Sequence, residues 1–260
     1  MAILIFTVCL LASVAGSICG IGGGVIIKPV LDALGIMSVS AISFLSGLTV
    51  LSMSAISVFK QRELHLVDLR IGSLLAMGAA AGGIMGNAVF HTLKTAAGTE
   101  RLAGMVQALV LALITLTTLL YNEFLKKRSP SCRVYKAPAC VAIGALLGVL
   151  SAFLGIGGGP INLAVLNFAF SFDAKKAAAN SLYIIMCSQA SSFLTSCIQQ
   201  TVPDFPRVYL LFMVSAGIMG GLIGAGVNRK ISAAATDHLF SGLLCVIIMI
   251  CLYNIRRFAG

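Results

Sequence analysis

Apolar runs of about 20 residues, separated by short charged patches, recur along the whole chain, and about 20 residues is what an α-helix needs to cross a bilayer. Apolar residues fill 59% of the 260 positions and charged residues only 10%, against roughly 25% charged in soluble domains. Period-2 alternation is absent, which sets aside a β-barrel. The expected fold is all-α and polytopic, in a cell membrane. A net charge of +10 would point a soluble protein toward nucleic acid. Here Lys and Arg sit between the apolar runs, where they act as topology signals and headgroup contacts, so the expected partner is the lipid bilayer and not nucleic acid.

Two glycine runs interrupt the pattern. Gly20-Ile21-Gly22-Gly23-Gly24 is followed by Val25-Ile26-Ile27-Lys28-Pro29, and 135 positions later the arrangement returns as Gly155-Ile156-Gly157-Gly158-Gly159-Pro160-Ile161. Each glycine inside a helix costs roughly 1 kcal/mol relative to alanine, so runs this dense mark helix breaks. The apolar pieces that follow, 25–34 and 161–172, are long enough for only half a crossing. Other features repeat in the same order. Ser54-Ala55-Ile56-Ser57 lies opposite Gln189-Ala190-Ser191-Ser192 at 135, Gly82-Gly83-Ile84-Met85-Gly86 opposite Gly220-Gly221-Leu222-Ile223-Gly224 at 138, and Thr99-Glu100 opposite Thr236-Asp237 at 137.

The chain therefore divides into a repeat over 1–125, a basic linker over 126–136 and a second repeat over 137–260. Each repeat carries about four spans: 2–20, 37–59, 69–90 and 102–122 in the first, and 138–155, 176–198, 206–227 and 236–255 in the second. Residues 2–20 read as a span and not as a cleaved leader, because they lack a basic start and a similar segment recurs at 138–155. With eight full spans, both termini and the linker share one side. That side carries Lys60, Arg62, Arg70, Lys126, Lys127, Arg128, Arg133, Lys136, Arg207, Arg256 and Arg257, and the other Lys94, Arg101, Lys175, Lys176, Arg229 and Lys230. The excess places both termini and the linker in the cytoplasm. If each half-length piece counts as a crossing, there are ten crossings and the repeats are inverted relative to one another. The sequence leaves both layouts open.

A helix that starts at a glycine break presents unpaired N–H groups and the positive end of its dipole, with no side chain in the way of an oxyanion. Irregular backbone at membrane depth is tolerated where it is packed in protein or lines a polar cavity. Gly22, Gly23 and Gly24, with Gly157, Gly158 and Gly159, are thus expected to face one small anion. The alternative is that they only let helices cross closely. Lys28, one turn into the first half helix, either supplies countercharge or snorkels to a headgroup. Asn162 follows the second break by three residues. Asn180 and Ser181 begin the next span, Ser46 is the counterpart of Ser181, and Gln189 lies further along. These side chains donate to oxyanions, or else hydrogen-bond between spans.

The doubled Gly-Ile-Gly-Gly-Gly break, Pro29 five residues after the first copy, the Ser-rich spans and the basic mid-chain linker resemble the sulfite exporter TauE/SafE family of membrane permeases, over essentially the whole chain. The resemblance implies export of a small sulfur-containing anion, such as sulfite or an organosulfonate, across a bacterial inner membrane. The second copy departs from the first, with Ala164 where Pro29 stands and Pro160 directly after its glycines. Alternating access between the two repeats is the expected mechanism. The alternatives are an anion channel, a membrane subunit of a larger complex or an intramembrane enzyme.

No enzyme activity is expected, because no nucleophile with a paired base stands out. Eight scattered cysteines read as packing residues, with no metal or cofactor expected. A homo-oligomer is compatible with all of this. All eight acidic residues, Asp32 among them, read as ends of apolar runs, so no carboxylate is expected at membrane depth. Anion export could then run on the membrane potential, worth about 2.3 kcal/mol per charge per 100 mV.

Overall fold

The structure is a computed structural model that describes residues 2–62, 66–126 and 136–259. Among the described residues it is helical throughout. Ten helices follow one another: α1 (Ala2–Cys19), α2 (Gly24–Leu34), α3 (Val39–Arg62), α4 (Leu69–Ala97), α5 (Glu100–Leu120), α6 (Ala137–Leu154), α7 (Gly159–Phe170), α8 (Ala174–Ile198), α9 (Arg207–Lys230) and α10 (Ala233–Ala259). A π-helical turn over Tyr121–Leu125 extends α5. Eight helices are long and apolar enough to cross a membrane. Large apolar side chains such as Leu11, Met77, Leu211 and Met249 point outward, as expected of a multi-pass membrane protein whose outer surface meets lipid. The central part of the linker, 127–135, lies outside the described residues.

Polar contacts sort the helix ends into two faces. At one, Glu100 at the start of α5 meets Ser40 of α3 and Lys94 of α4, Arg101 donates to carbonyls at the end of α10, and Arg257 of α10 donates to the Asp32 and Ala33 carbonyls at the end of α2. Phe6 of α1 packs edge-on against Phe212 near the start of α9. We call this the terminal end. At the other, the linker end, Asp68 before α4 pairs with Lys176 of α8, Arg229 of α9 donates to the Lys60 carbonyl, and Lys126 after α5 pairs with Asp237 of α10.

These contacts decide the layout that the sequence left open. Helix α1 enters from the terminal end and runs parallel to α9. The chain reverses at the glycine break, and α2 returns to the terminal end. Helix α6 enters from the linker end parallel to α4, reverses at the second break, and α7 returns. The half helices have 11 and 12 residues, about 16–18 Å at 1.5 Å per residue. Three full crossings follow each hairpin, so both termini lie at one end and the linker flanks at the other. Eight helices are long and apolar enough to span, as the eight-span count has it, and the return of α2 and α7 matches the alternative in which each half-length piece also counts.

Helix pairing crosses between the halves. Helix α1 packs mainly on α9 and α6 on α4, α3 packs on α9 and α8 on α4, α5 pairs with α10, and α3 crosses α8. The pattern is preserved when α1–α5 are exchanged for α6–α10. Glycine permits the closest of these approaches. A side chain on Gly78, Gly82 or Gly86 of α4 would overlap the Val141, Ala145 or Val149 carbonyl of α6, and Gly144 and Gly148 present the same absence to Leu75 and Ala79. Small-residue seams of this kind are how helices pack in lipid, where burial of apolar surface supplies little drive.

Asp68 caps α4, accepting from the Ile71 amide at 3.1 Å. Burial alone would raise its pKa, but that bond and Lys176 outweigh burial and hold it below the ordinary 3.8. A depressed folded value means that its contribution to stability is complete above 3.8 and is lost as pH falls through the folded value. Asp68→Asn is expected to flatten the acid limb of the stability profile, and an unchanged limb would rule the cap out as its source.

Candidate functional site

The two breaks meet in the middle of the molecule, against the α3–α8 crossing. In the first, Gly20 and Gly22 have φ of 78° and 77°, and Gly23 and Gly24 already belong to the start of α2, with the Ile26 and Ile27 amides bonded to the Gly23 carbonyl at 3.0 Å. In the second, Gly155, Gly157, Gly158 and Gly159 all have positive φ, from 60° to 96°. The breaks press on one another. A Cβ on Gly24 would stand 2.6 Å from the Ile156 carbonyl oxygen, and one on Gly22 would stand 3.4 Å from that of Gly157. Val50 of α3 packs against Gly22, Gly24 and Gly157.

The remaining glycines face elsewhere: Gly23 lies against Ser13 of α1, Gly158 against Asn162, and Gly159 against Val25. The geometry therefore brings the breaks together as closely packed backbone. The space that could admit an anion lies to the terminal side of them.

That space is a small cleft between α3, α4, α8 and the second break. Ser40, Ser43 and Gly47 from one face of α3, Asn87 and His91 one turn apart on α4, Gln189, Ser192 and Ser196 of α8, and Gly155 line it, with Thr201 and Pro203 of the α8–α9 connection. Its polar groups are neutral hydroxyls and amides apart from His91. The Ser43 hydroxyl is buried with no partner, the Gln189 amide donates to Ser151 Oγ at 3.0 Å, and Asn87 donates to Ser196 Oγ at 3.2 Å. Hydroxyl and amide donors can hold an oxyanion without the desolvation burden of a fixed charge.

Other residues singled out in the sequence are used differently. Asn180 is spent at the linker end: its oxygen accepts from the Asp68 amide at 3.0 Å, and its nitrogen donates to the Leu66 and Lys176 carbonyls. Ser181 donates to the Gly20 carbonyl at 2.6 Å and pins the first break. Its counterpart Ser46, equally buried, has no partner. Asn162 is fully buried with neither side-chain atom bonded.

Lys28 neither snorkels nor stands free as countercharge. It is 3% exposed and pairs with Asp32 at 2.9 Å. Asp32, near the end of its apolar run as the sequence has it, is itself buried at 7% exposure. Ser43, Asn87, His91, Ser192 and Ser196 were not singled out as site residues. Their readable signal was spacing: 40, 43 and 47 share one helical face, as do 87 and 91.

At the linker end Ala178, at the offset of 135 from Ser43, stands against Gly20 as Ser43 stands against Gly155, each too close for a Cβ on the glycine. Ser17 and Ser57 hydrogen-bond at 2.8 Å behind it.

Comparison with known proteins adds two findings. A family model described as "Sulfite exporter TauE/SafE" matches residues 5–250. The chain is also 25% identical over 243 residues to "Probable membrane transporter protein YunE" of Bacillus subtilis (strain 168), a match that covers 85% of this chain and 86% of that protein. No solved structure matches the chain.

Proposed function

Since the chain belongs to the sulfite exporter TauE/SafE family of membrane transporters, we propose that it carries a small sulfur oxyanion, sulfite or an organosulfonate, through the α3–α8 crossing by alternating access. The observation that carries this reading is the unequal state of two matched latches. At the linker end, Ser181 holds the Gly20 carbonyl and the chain is closed over the first break. At the terminal end, Ser46 is unbonded and the cleft lies open beside Gly155. Exchange of these two states would present the same crossing to opposite sides of the membrane, which is how inverted repeats operate in carriers.

The basic residues support an orientation. Lys60, Arg70, Lys126, Lys136, Lys175, Lys176, Arg229 and Lys230 lie at the linker end, and Lys94, Arg101, Arg207, Arg256 and Arg257 at the terminal end. The segment joining α5 to α6 adds Lys127, Arg128 and Arg133 in sequence. By the positive-inside rule the linker end faces the cytoplasm and both termini face outward. The cleft is then outward-open, and outward movement of an anion runs down the membrane potential.

Single cysteines at Ser43 and Ala178, in a cysteine-free background, test this together with sulfite and organosulfonate flux in proteoliposomes. A charged thiol reagent applied from outside is expected to label Ser43→Cys and spare Ala178→Cys, with sulfite slowing the reaction at 43. Equal labelling of the two positions, or no flux of any of these anions, refutes the proposal.

A further inference from the structure

We propose that the cavity beside Lys28 binds a small monovalent cation, Na+, through oxygens of Asp32, Gln107 and Asn254. Helix α2 places Lys28 and Asp32 one turn apart, and their pairing uses one carboxylate oxygen, Oδ2. The other, Oδ1, is buried with no partner. Gln107 of α5 and Asn254 of α10 line the same cavity, which has room for about one water-sized occupant. Each is anchored by its nitrogen: Gln107 Nε2 donates to the Phe153 carbonyl at 2.6 Å, and Asn254 Nδ2 to the Pro29 carbonyl at 2.8 Å. Those bonds fix which end of each amide is left over, and both oxygens are unpartnered.

Three buried oxygens from three helices therefore line one cavity with no hydrogen-bond partner, a costly arrangement for polar atoms. An anion would satisfy none of them and would meet the Asp32 carboxylate. A hard cation takes oxygen ligands of this kind. The C-terminal end of a half helix, where Asp32 lies, is the negative end of its dipole and a recurring place for coupling cations in transporters.

The other charged or titratable groups nearby are Lys28 on α2, Cys251 on α10, and Arg257, which caps the Asp32 and Ala33 carbonyls. The remaining lining from α5 and α6, Ala108, Leu111 and Leu154, is apolar. The matching positions of the second half, at the offset of 135, are Leu163 for Lys28 and Asn167 for Asp32, so the pair is not duplicated.

The test uses the full chain purified in detergent, with its thermal midpoint followed as NaCl replaces choline chloride at constant ionic strength and pH. The wild-type midpoint is expected to rise saturably with Na+, as for any ligand that binds only the folded state. In Gln107→Leu and Asn254→Leu the half-saturating concentration is expected to rise about tenfold or more, and in Asp32→Asn the shift is lost. If Asp32→Asn does not fold, the two amide variants carry the test. No Na+ shift in the wild type, or the same shift in Gln107→Leu, overturns the site. A midpoint that follows pH and ignores Na+ overturns it as well. The readout involves neither sulfite nor flux, so its failure leaves the cleft reading standing, and failure of the cleft reading leaves this one untouched.

Discussion

Gly20→Ala is expected to destabilise the protein by about 2–5 kcal/mol. A left-handed conformation in an L-residue accounts for roughly 1–2 kcal/mol, and overpacking against Ala178 for a further 1–3 kcal/mol or so. The protein carries controls for each part. Gly98 also has positive φ, 65°, but its missing side chain faces open space, so Gly98→Ala isolates the backbone component. Gly226 is an ordinary helical glycine with open space beside it, and Gly226→Ala is expected to stabilise by about 0.5–1 kcal/mol. Unfolding of the three variants in detergent gives the ordering directly. If Gly20→Ala is no worse than Gly98→Ala, the close approach of the first break to α8 is not a tight one.

Lys28→Met has an effect of similar size from another cause. It leaves the Asp32 carboxylate buried without its partner, and breaking a buried pair from one side costs about 3–5 kcal/mol. Replacing both partners by apolar groups of similar volume is often neutral, so Lys28→Met/Asp32→Leu is expected to recover most of the loss. The double-mutant cycle measures the coupling. Additive effects in the cycle would mean that the pair does not act as a unit in the folded protein. The cycle addresses the pair alone, whereas Na+ binding is read by the shift described above.

Helix positions were legible because apolar run length and glycine density are local properties. The breaks at Gly20 and Gly155 were placed to the residue, and the half helices that follow begin within two residues of where composition puts them. Chain direction was not legible. Whether α2 continues α1 or doubles back depends on φ at Gly20 and Gly22, and glycine is compatible with either course. The charge count inherited that ambiguity, since moving one reversal reassigns every later loop.

The burial of Asp32 was not legible for a related reason. The residue stands at the end of an apolar run, as surface carboxylates do, but the groups that enclose it, Gln107 and Asn254, come from helices distant in sequence. Asn180 and Ser181 looked equivalent as donors. Only packing distinguishes an amide spent on the start of α4 from a hydroxyl that pins the first break.

The cross-pairing of the halves has a consequence for how the chain is made. Helix α1 is synthesised first, yet its main partner, α9, emerges last but one, and the glycine seam of α4 has no matching surface until α6 has been translated. A ribosome that has finished α1–α5 has therefore delivered five helices, two of them with their main seams unpaired. A chain truncated after Lys126 would carry α1–α5 but lack α9 and α6, the main surfaces that pack α1 and α4. The maturing protein must hold its first hairpin in waiting through most of translation, which makes the seams on α1 and α4 the places where a membrane chaperone would have most to shield.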